Sequence, residues 1–218
     1  TAGNSGNIST SLYTITISGP ITYMSDTTES FGISTNTGRP IQAEYVSPTS
    51  VLVGKSIDTI TVKLQKTGSP SGTMQVGIFN DDKSVKQLFG TASASSIATS
   101  YTAYSYSLPG SQTYKIQAGD RIGIKFVGGD INNYIGIMTD QINSFDGTKT
   151  YMDYSQFVWT PLITKDYYMI LKLTHFTPPT ITINGANPIT VEKDSSYVDM
   201  GAKAIDIPDG NLTSSIIT

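Results

Sequence analysis

The sequence predicts an all-β protein, an antiparallel β-sandwich followed by the opening strands of a second, smaller β-unit. Two observations carry this expectation. Apolar residues recur at every second position in one segment after another, and no stretch shows the three-to-four spacing of an amphipathic helix. Gly, Pro, Asn and Asp punctuate those segments as turn residues do. Strands recurring at a spacing of roughly 10–15 residues, without helical crossovers, favour antiparallel pairing over any α/β arrangement.

Taken in order, residues 1–11 carry no periodicity and read as a flexible lead-in to a sandwich spanning 12–176. Tyr13, Ile15 and Ile17 alternate with Thr14 and Thr16, and Ile60, Val62 and Leu64 alternate with Thr61, Lys63 and Gln65. Gly68-Ser69-Pro70-Ser71-Gly72 then reverses the chain, as expected of a hairpin, into Met74, Val76 and Ile78. The run Thr91 to Tyr101, rich in Ala, Ser and Thr, reads as an exposed loop or edge strand. Tyr104, Tyr106 and Leu108 lead to the turn Pro109-Gly110, and Ile122, Ile124 and Phe126 follow Ala118-Gly119-Asp120. Ile135 with Ile137, and Met169 with Leu171 and Leu173, give the last strands. One apolar face per strand is the mark of a sheet packed on one side and wet on the other. Residues 177–179, with two prolines, form a short stiff linker. Alternation restarts over 180–218, in Thr180 to Ile183, Ile189 to Val191 and Ala202 to Ile205.

Composition narrows the function classes. Only 14% of the 218 residues are charged, against about 25% in an ordinary globular domain. Ser, Thr, Gly and Tyr take their place, giving the neutral, hydroxyl-rich surface of an exterior protein. A net charge of -3 offers no basic footprint for nucleic acid or anionic lipid. The absence of cysteine excludes disulfide scaffolds, thiol catalysis and thiolate metal sites. No apolar run is long enough to span a bilayer as a helix, so membrane insertion is not expected. The polar opening at Thr1, without Met, is as expected after signal removal or excision from a longer protein.

The stretch Pro179-Thr180-Ile181-Thr182-Ile183-Asn184-Gly185-Ala186-Asn187-Pro188-Ile189-Thr190-Val191-Glu192 resembles a bacterial immunoglobulin-like family found as repeats on surface proteins. The match continues through Tyr197-Val198-Asp199-Met200-Gly201-Ala202 and Ala204-Ile205-Asp206 to Asp209-Gly210-Asn211-Leu212-Thr213. Met200 replaces the family's proline, and Asn211 its second acidic residue. The resemblance implies a sandwich about twice as long as the stretch from Thr180 to Thr218, so 180–218 is expected to be a partial domain. Two readings follow: the chain is a piece of a longer protein, or a neighbouring subunit donates a strand. The larger region resembles a jelly-roll module of exported prokaryotic proteins. Its supporting residues are Gln42-Ala43-Glu44-Tyr45, Ile60 to Leu64 with Gly68 to Thr73, Gln75 to Ile78, and Ile116-Gln117-Ala118-Gly119-Asp120-Arg121-Ile122. That resemblance implies a carbohydrate-binding-like architecture, with or without sugar binding.

Catalytic machinery is not expected. The single histidine, His175, ends the last strand beside the linker, a place for packing or a hinge rather than a triad. Gly128-Gly129-Asp130-Ile131-Asn132-Asn133 carries oxygens suited to calcium, Asp130 and Asn132 foremost, with Asp206 and Asp209 a weaker pair and Asp81-Asp82 another. The competing reading is turn chemistry, which uses the same residues. Tyr151, Tyr154 and Trp159, in an aromatic stretch with Asp153 and Gln156, are candidates to stack on sugar rings, and Tyr134 beside Asn132 and Asn133 is another. Core packing is the competing reading for Trp159. Asn7-Ile8-Ser9 and Asn211-Leu212-Thr213 are glycosylation sequons.

The sequence therefore points to a non-catalytic structural or adhesive module of a prokaryotic cell-surface protein, with other surface modules or subunits as partners. The alternative is a carbohydrate-binding module of an exported enzyme or adhesin, with glycans as partners. An exported hydrolase with unrecognised carboxylates is a distant third.

Overall fold

A computed structural model describes residues 20–140, 149–153, 158–162, 166–175, 179–186, 190–191, 194–206 and 210–216. It divides into a larger unit, Gly19–His175, and a smaller one made of Thr1–Ser18 and Phe176–Thr218. Strands come in the order β1 (Ile21–Asp26), β2 (Glu29–Thr35), β3 (Ile41–Tyr45), β4 (Ser56–Ile57), β5 (Thr59–Thr67) and β6 (Thr73–Phe79). Then follow β7 (Val85–Ser93), β8 (Thr102–Ser107), β9 (Tyr114–Lys115), β10 (Arg121–Phe126), β11 (Tyr134–Asp140) and β12 (Lys149–Asp153). The larger unit ends with β13 (Trp159–Leu162) and β14 (Met169–Leu173), and the smaller holds β15 (Thr180–Ile183), β16 (Ala202–Asp206) and β17 (Gly210–Asn211). Among the described residues the helical content is two single 3-10 turns.

The fold is all-β, as expected, and every strand pairing among the described residues is antiparallel. The first sheet runs β1-β14-β5-β11-β2. Met169 to Lys172 and Tyr134 to Ile137 share one edge of β5, so β8, paired along Thr59 to Leu64, takes the other. The second sheet runs β13-β12-β3-β10-β6-β7. Between the sheets lies the core: Ile60, Val62 and Leu64 of β5, with Val76, Ile78, Ile122, Ile124 and Phe126 opposite, all at 0% exposure. Each side chain so buried contributes about 1.5–3 kcal/mol, and the period-2 pattern exists because alternate positions face this layer.

The interior also holds polar groups. Gln42 and Glu44 lie opposite Ile124 and Ile122 in the β3/β10 register, so they share the core face. The Tyr167 N–H donates to Glu44 Oε1 at 2.6 Å, its hydroxyl to Gln42 Oε1, and Gln42 Nε2 to the Ser34 carbonyl at 3.2 Å. This column ties the second sheet to the first through groups that would otherwise be costly to bury.

On the outer face of the second sheet, Gly123 lies between Gly77 and Ala43. A Cβ on Gly123 would stand 2.0 Å from the Gln42 carbonyl oxygen, and one on Gly77 2.2 Å from that of Gln87. Only glycine allows the strands this approach.

Three expectations need correction. The loop from Gly68 to Gly72 is a crossover between sheets, because β5 belongs to the first and β6 to the second. Of the run Thr91 to Tyr101, the first residues do end the edge strand β7, but Ala94 and Ile97 are core residues at 0% and 1% exposure. Thr190 and Val191 lie outside any strand. The expected strand around Tyr13 to Ile17 and residues 177–178 of the expected linker lie outside the described residues. The smaller unit contributes a three-stranded sheet, β15-β16-β17.

Candidate functional site

Pairing of β3 with β10 sets Arg121 directly opposite Tyr45 on the outer face of the second sheet, and β13 at the sheet edge supplies Trp159. The guanidinium lies 5.2 Å from the Tyr45 ring centre and 4.8 Å from that of Trp159. It pairs with the Asp81 carboxylate and donates from Nη1 to the Gly119 carbonyl at 3.1 Å. Trp159 Nε1 donates to the Asp81 carbonyl at 2.8 Å. Under the indole lie Ile41, Ala43 and Phe79, all fully buried. Trp159 thus roofs a small apolar cluster while staying half-buried itself. Arg121 is nearly closed off at 10% side-chain exposure, whereas Asp81 stands open at 83%. A flat cation held against aromatic faces in this way is worth about 0.5–2 kcal/mol. Tyr151 falls opposite Ala43 on one side and Pro161 on the other, in the same sheet as Trp159. Tyr154 lies outside the described residues.

The candidate calcium loop is occupied by its own donors. Asp130 Oδ1 accepts the N–H of Asn132 at 2.7 Å and of Asn133 at 2.9 Å, and Asn133 Nδ2 lies 3.1 Å from both carboxylate oxygens. The Asn132 N–H, then the Asn133 side chain, holds the Asp130 carboxyl below its ordinary range. Asn133 Oδ1 in turn accepts the Ser69 N–H at 2.8 Å. This is the turn chemistry of an Asx motif. Among the described residues no three acidic or histidine side chains gather where a metal would sit. Asp206 is buried on β16 at 9% exposure, and Asp209 lies outside the described residues. Tyr134 opens β11 opposite Thr67, half-buried.

Tyr101, which sequence reasoning passed over, reaches across the outer face of the first sheet. Its hydroxyl fills the space a Cβ on Gly32 would need. Burial first, and Tyr134 second, push its phenol up to about 12.

A close-knit polar cluster is centred on a residue the sequence did not mark. Asp58 sits between β4 and β5 with its side chain fully buried. Its Oδ2 accepts the N–H of Thr174 at 2.7 Å and of His175 at 2.6 Å, and His175 Nδ1 lies 2.9 Å away. Oδ1 takes the hydroxyls of Thr59 at 2.8 Å and Thr174 at 3.0 Å. Burial opposes the charge on Asp58, but the His175 N–H, the Thr59 hydroxyl and the Thr174 N–H outweigh it and hold the carboxyl low. His175 is therefore the partner of a structural carboxylate that fastens the end of β14. Asp120, 1% exposed, plays a comparable part before β10, receiving Lys86 Nζ at 2.6 Å, the Tyr114 hydroxyl at 2.9 Å and the Gln117 N–H at 2.8 Å. Burial, followed by the Asp120 charge, raises the Tyr114 phenol.

Asn211 is exposed and its Oδ1 accepts the Thr213 N–H at 3.0 Å, while Thr213 Oγ1 takes the Ala204 N–H at 3.2 Å. Both sequon side chains are thereby engaged in the turn. Asn7 lies outside the described residues. Among the described residues no helix is long and apolar enough to cross a membrane. No family model, no curated protein and no solved structure matches this chain.

Proposed function

We propose that the chain is a non-catalytic module of an extracellular or cell-surface protein, serving to hold shape and present a face to other modules or subunits. The observation that carries this reading is the use made of its most reactive groups. The Asp58 and Asp120 carboxylates spend their oxygens on fastening strand ends, and the His175 Nδ1 is drawn onto Asp58, which stiffens a sandwich. The low charge of the chain suits a passive exterior surface. The test is a turnover screen against glycosides, esters and peptides at pH 5–8, run beside Asp58→Asn and His175→Ala. Hydrolysis by the wild-type chain that either variant abolishes would sink the proposal.

A second reading, glycan binding, is favoured by the half-buried Trp159 beside the open Asp81 carboxylate, an indole next to an acceptor for sugar hydroxyls. Trp159 is the only tryptophan, so its fluorescence reports this place alone. Saturable spectral change on titration with soluble polysaccharides, lost in Asp81→Ala, supports the reading. An unchanged spectrum across a broad glycan set counts against it.

A further inference from the structure

Where β15 ends at Ile183, the chain bends away through Asn184 and Gly185, both exposed. Gly185 takes φ +87°, the left-handed region that glycine enters without strain, and a Cβ there would stand 3.2 Å from Met200 Cγ. The bend therefore requires glycine, and the residue before it makes this the one Asn-Gly step in the chain. Asn184 fastens the bend to the segment that leads into β16. Its backbone N–H donates to the Gly201 carbonyl at 2.9 Å, and its side-chain Nδ2 to the Met200 carbonyl at 3.0 Å. Asp199 closes the same corner, its Oδ1 accepting the Gly201 N–H at 2.8 Å. No hydrogen bond among the described residues holds the Gly185 N–H.

These features suit loss of the side-chain amide. The nucleophile in that reaction is the next backbone nitrogen, which must shed its proton and reach the side-chain carbonyl carbon. Gly185 offers an unbonded N–H in water and no Cβ in the way, and the two reacting groups are neighbours in one chain. We propose that Asn184 is a self-modification site, converted without an enzyme to aspartate and isoaspartate, and that the conversion unfastens this corner of the smaller unit. The deprotonated Gly185 nitrogen attacks Asn184 Cγ, the bond to Nδ2 breaks, and that nitrogen leaves as ammonia. Water then opens the five-membered imide at either of its carbonyls. One opening gives aspartate, and the other routes the backbone through Cγ as isoaspartate. Nothing is oxidised or reduced: one water enters and one ammonia leaves. The new carboxylate can only accept, so it meets the Met200 carbonyl as acceptor against acceptor. It also adds a negative charge to the corner that holds Asp199. Isoaspartate lengthens the backbone as well, which works against the pairing of Ile183 with Ala202.

The bond from Nδ2 to Met200 restrains the leaving group, but it is exposed, and one such bond slows the reaction by no more than about tenfold. The test is to hold the chain in warm, mildly alkaline buffer and map it with trypsin, which releases the site in peptide 173–193. The other amide of that peptide, Asn187, precedes Pro188, whose nitrogen carries no proton, so an amide lost there belongs to Asn184. Amide-to-acid conversion giving both aspartate and isoaspartate, within about tenfold of the rate in the same synthetic peptide, supports the proposal. Asn184→Gln, which would have to close a larger ring, should keep its amide. A folded chain that retains the Asn184 amide while the free peptide loses it overturns the proposal. A second measurement is hydrogen exchange of Asn184→Asp. Residues 194–203 should exchange faster than in the unmodified chain, and unchanged exchange there overturns the unfastening.

Discussion

The Asp58 carboxylate offers the sharpest test of how this sandwich is held together. Replacing it with alanine strands the N–H groups of Thr174 and His175, each now 2.7 Å or less from a buried acceptor. An orphaned buried donor costs about 1–3 kcal/mol, and breaking a buried charged network in this way costs about 3–5 kcal/mol in all. Asparagine is milder. Its carbonyl can keep both N–H groups at the Oδ2 position while its amide faces the Thr59 and Thr174 hydroxyls, which also accept. The loss of charge assistance leaves a deficit of about 1–2 kcal/mol for Asp58→Asn. The assay is urea unfolding followed by Trp159 fluorescence, which reports the larger unit. The acid limb gives the sign. Because folding lowers the Asp58 pKa, its contribution is complete above the ordinary carboxyl range and disappears as pH falls through the lower folded value. The gap between wild type and Asp58→Ala should therefore narrow from pH 5 to pH 2. A deficit below about 1 kcal/mol for alanine, well under the range above, or a gap that widens with acid, would refute the reasoning.

Other outcomes follow from the same geometry. Gly123→Ala drives a Cβ into the Gln42 carbonyl and should cost about 2–3 kcal/mol, seen as a fall of roughly 6–10 °C in Tm for the larger unit. Gly32→Ala meets only the end of the Tyr101 side chain, which can swing away, so it should cost less and let the Tyr101 phenol titrate closer to pH 10 in a spectrophotometric titration. Arg121→Lys loses the flat contact with Tyr45 and Trp159 and should lower stability by about 1 kcal/mol while making Trp159 easier to quench with acrylamide. Because Asp130 is already satisfied by Asn132 and Asn133, calcium or a chelator should leave Tm unmoved; a rise with millimolar calcium would restore the metal reading.

The sandwich core was legible because its central strands alternate cleanly. Ile60, Val62 and Leu64, and Ile122, Ile124 and Phe126, announce their face in any window of six residues. Strand β7 was not, since only Phe89 along it is buried and register shifts against β6 break its period. The loop from Gly68 to Gly72 shows a different limit: Gly and Pro fix where the chain turns, but which sheet the next strand joins depends on distant partners. The site residues divide in the same way. His175 could be placed at a strand end from its neighbours, yet Asp58 lies 117 residues away in sequence and resembles any other acid beside a strand. Arg121 carried no aromatic signal of its own, and its bearing on Trp159 arises only when β3, β10 and β13 lie in one sheet.

The pairing of Ile21 with Leu173 decides how the larger unit responds to tension. A pull on the chain at both ends of that unit acts at one end of the β1/β14 ladder and across it, so its hydrogen bonds are loaded one after another rather than all together. Such a ladder peels at low force. Asp58 alters the outcome on one side, since it grips Thr174 and His175 from the β4/β5 junction and not from β1. The peeling strand is then β1, drawn away with Met24, while β14 stays seated on β5 with its three buried apolar side chains, Met169, Leu171 and Leu173, in place. Under load the sandwich would shed its first strand and keep its core.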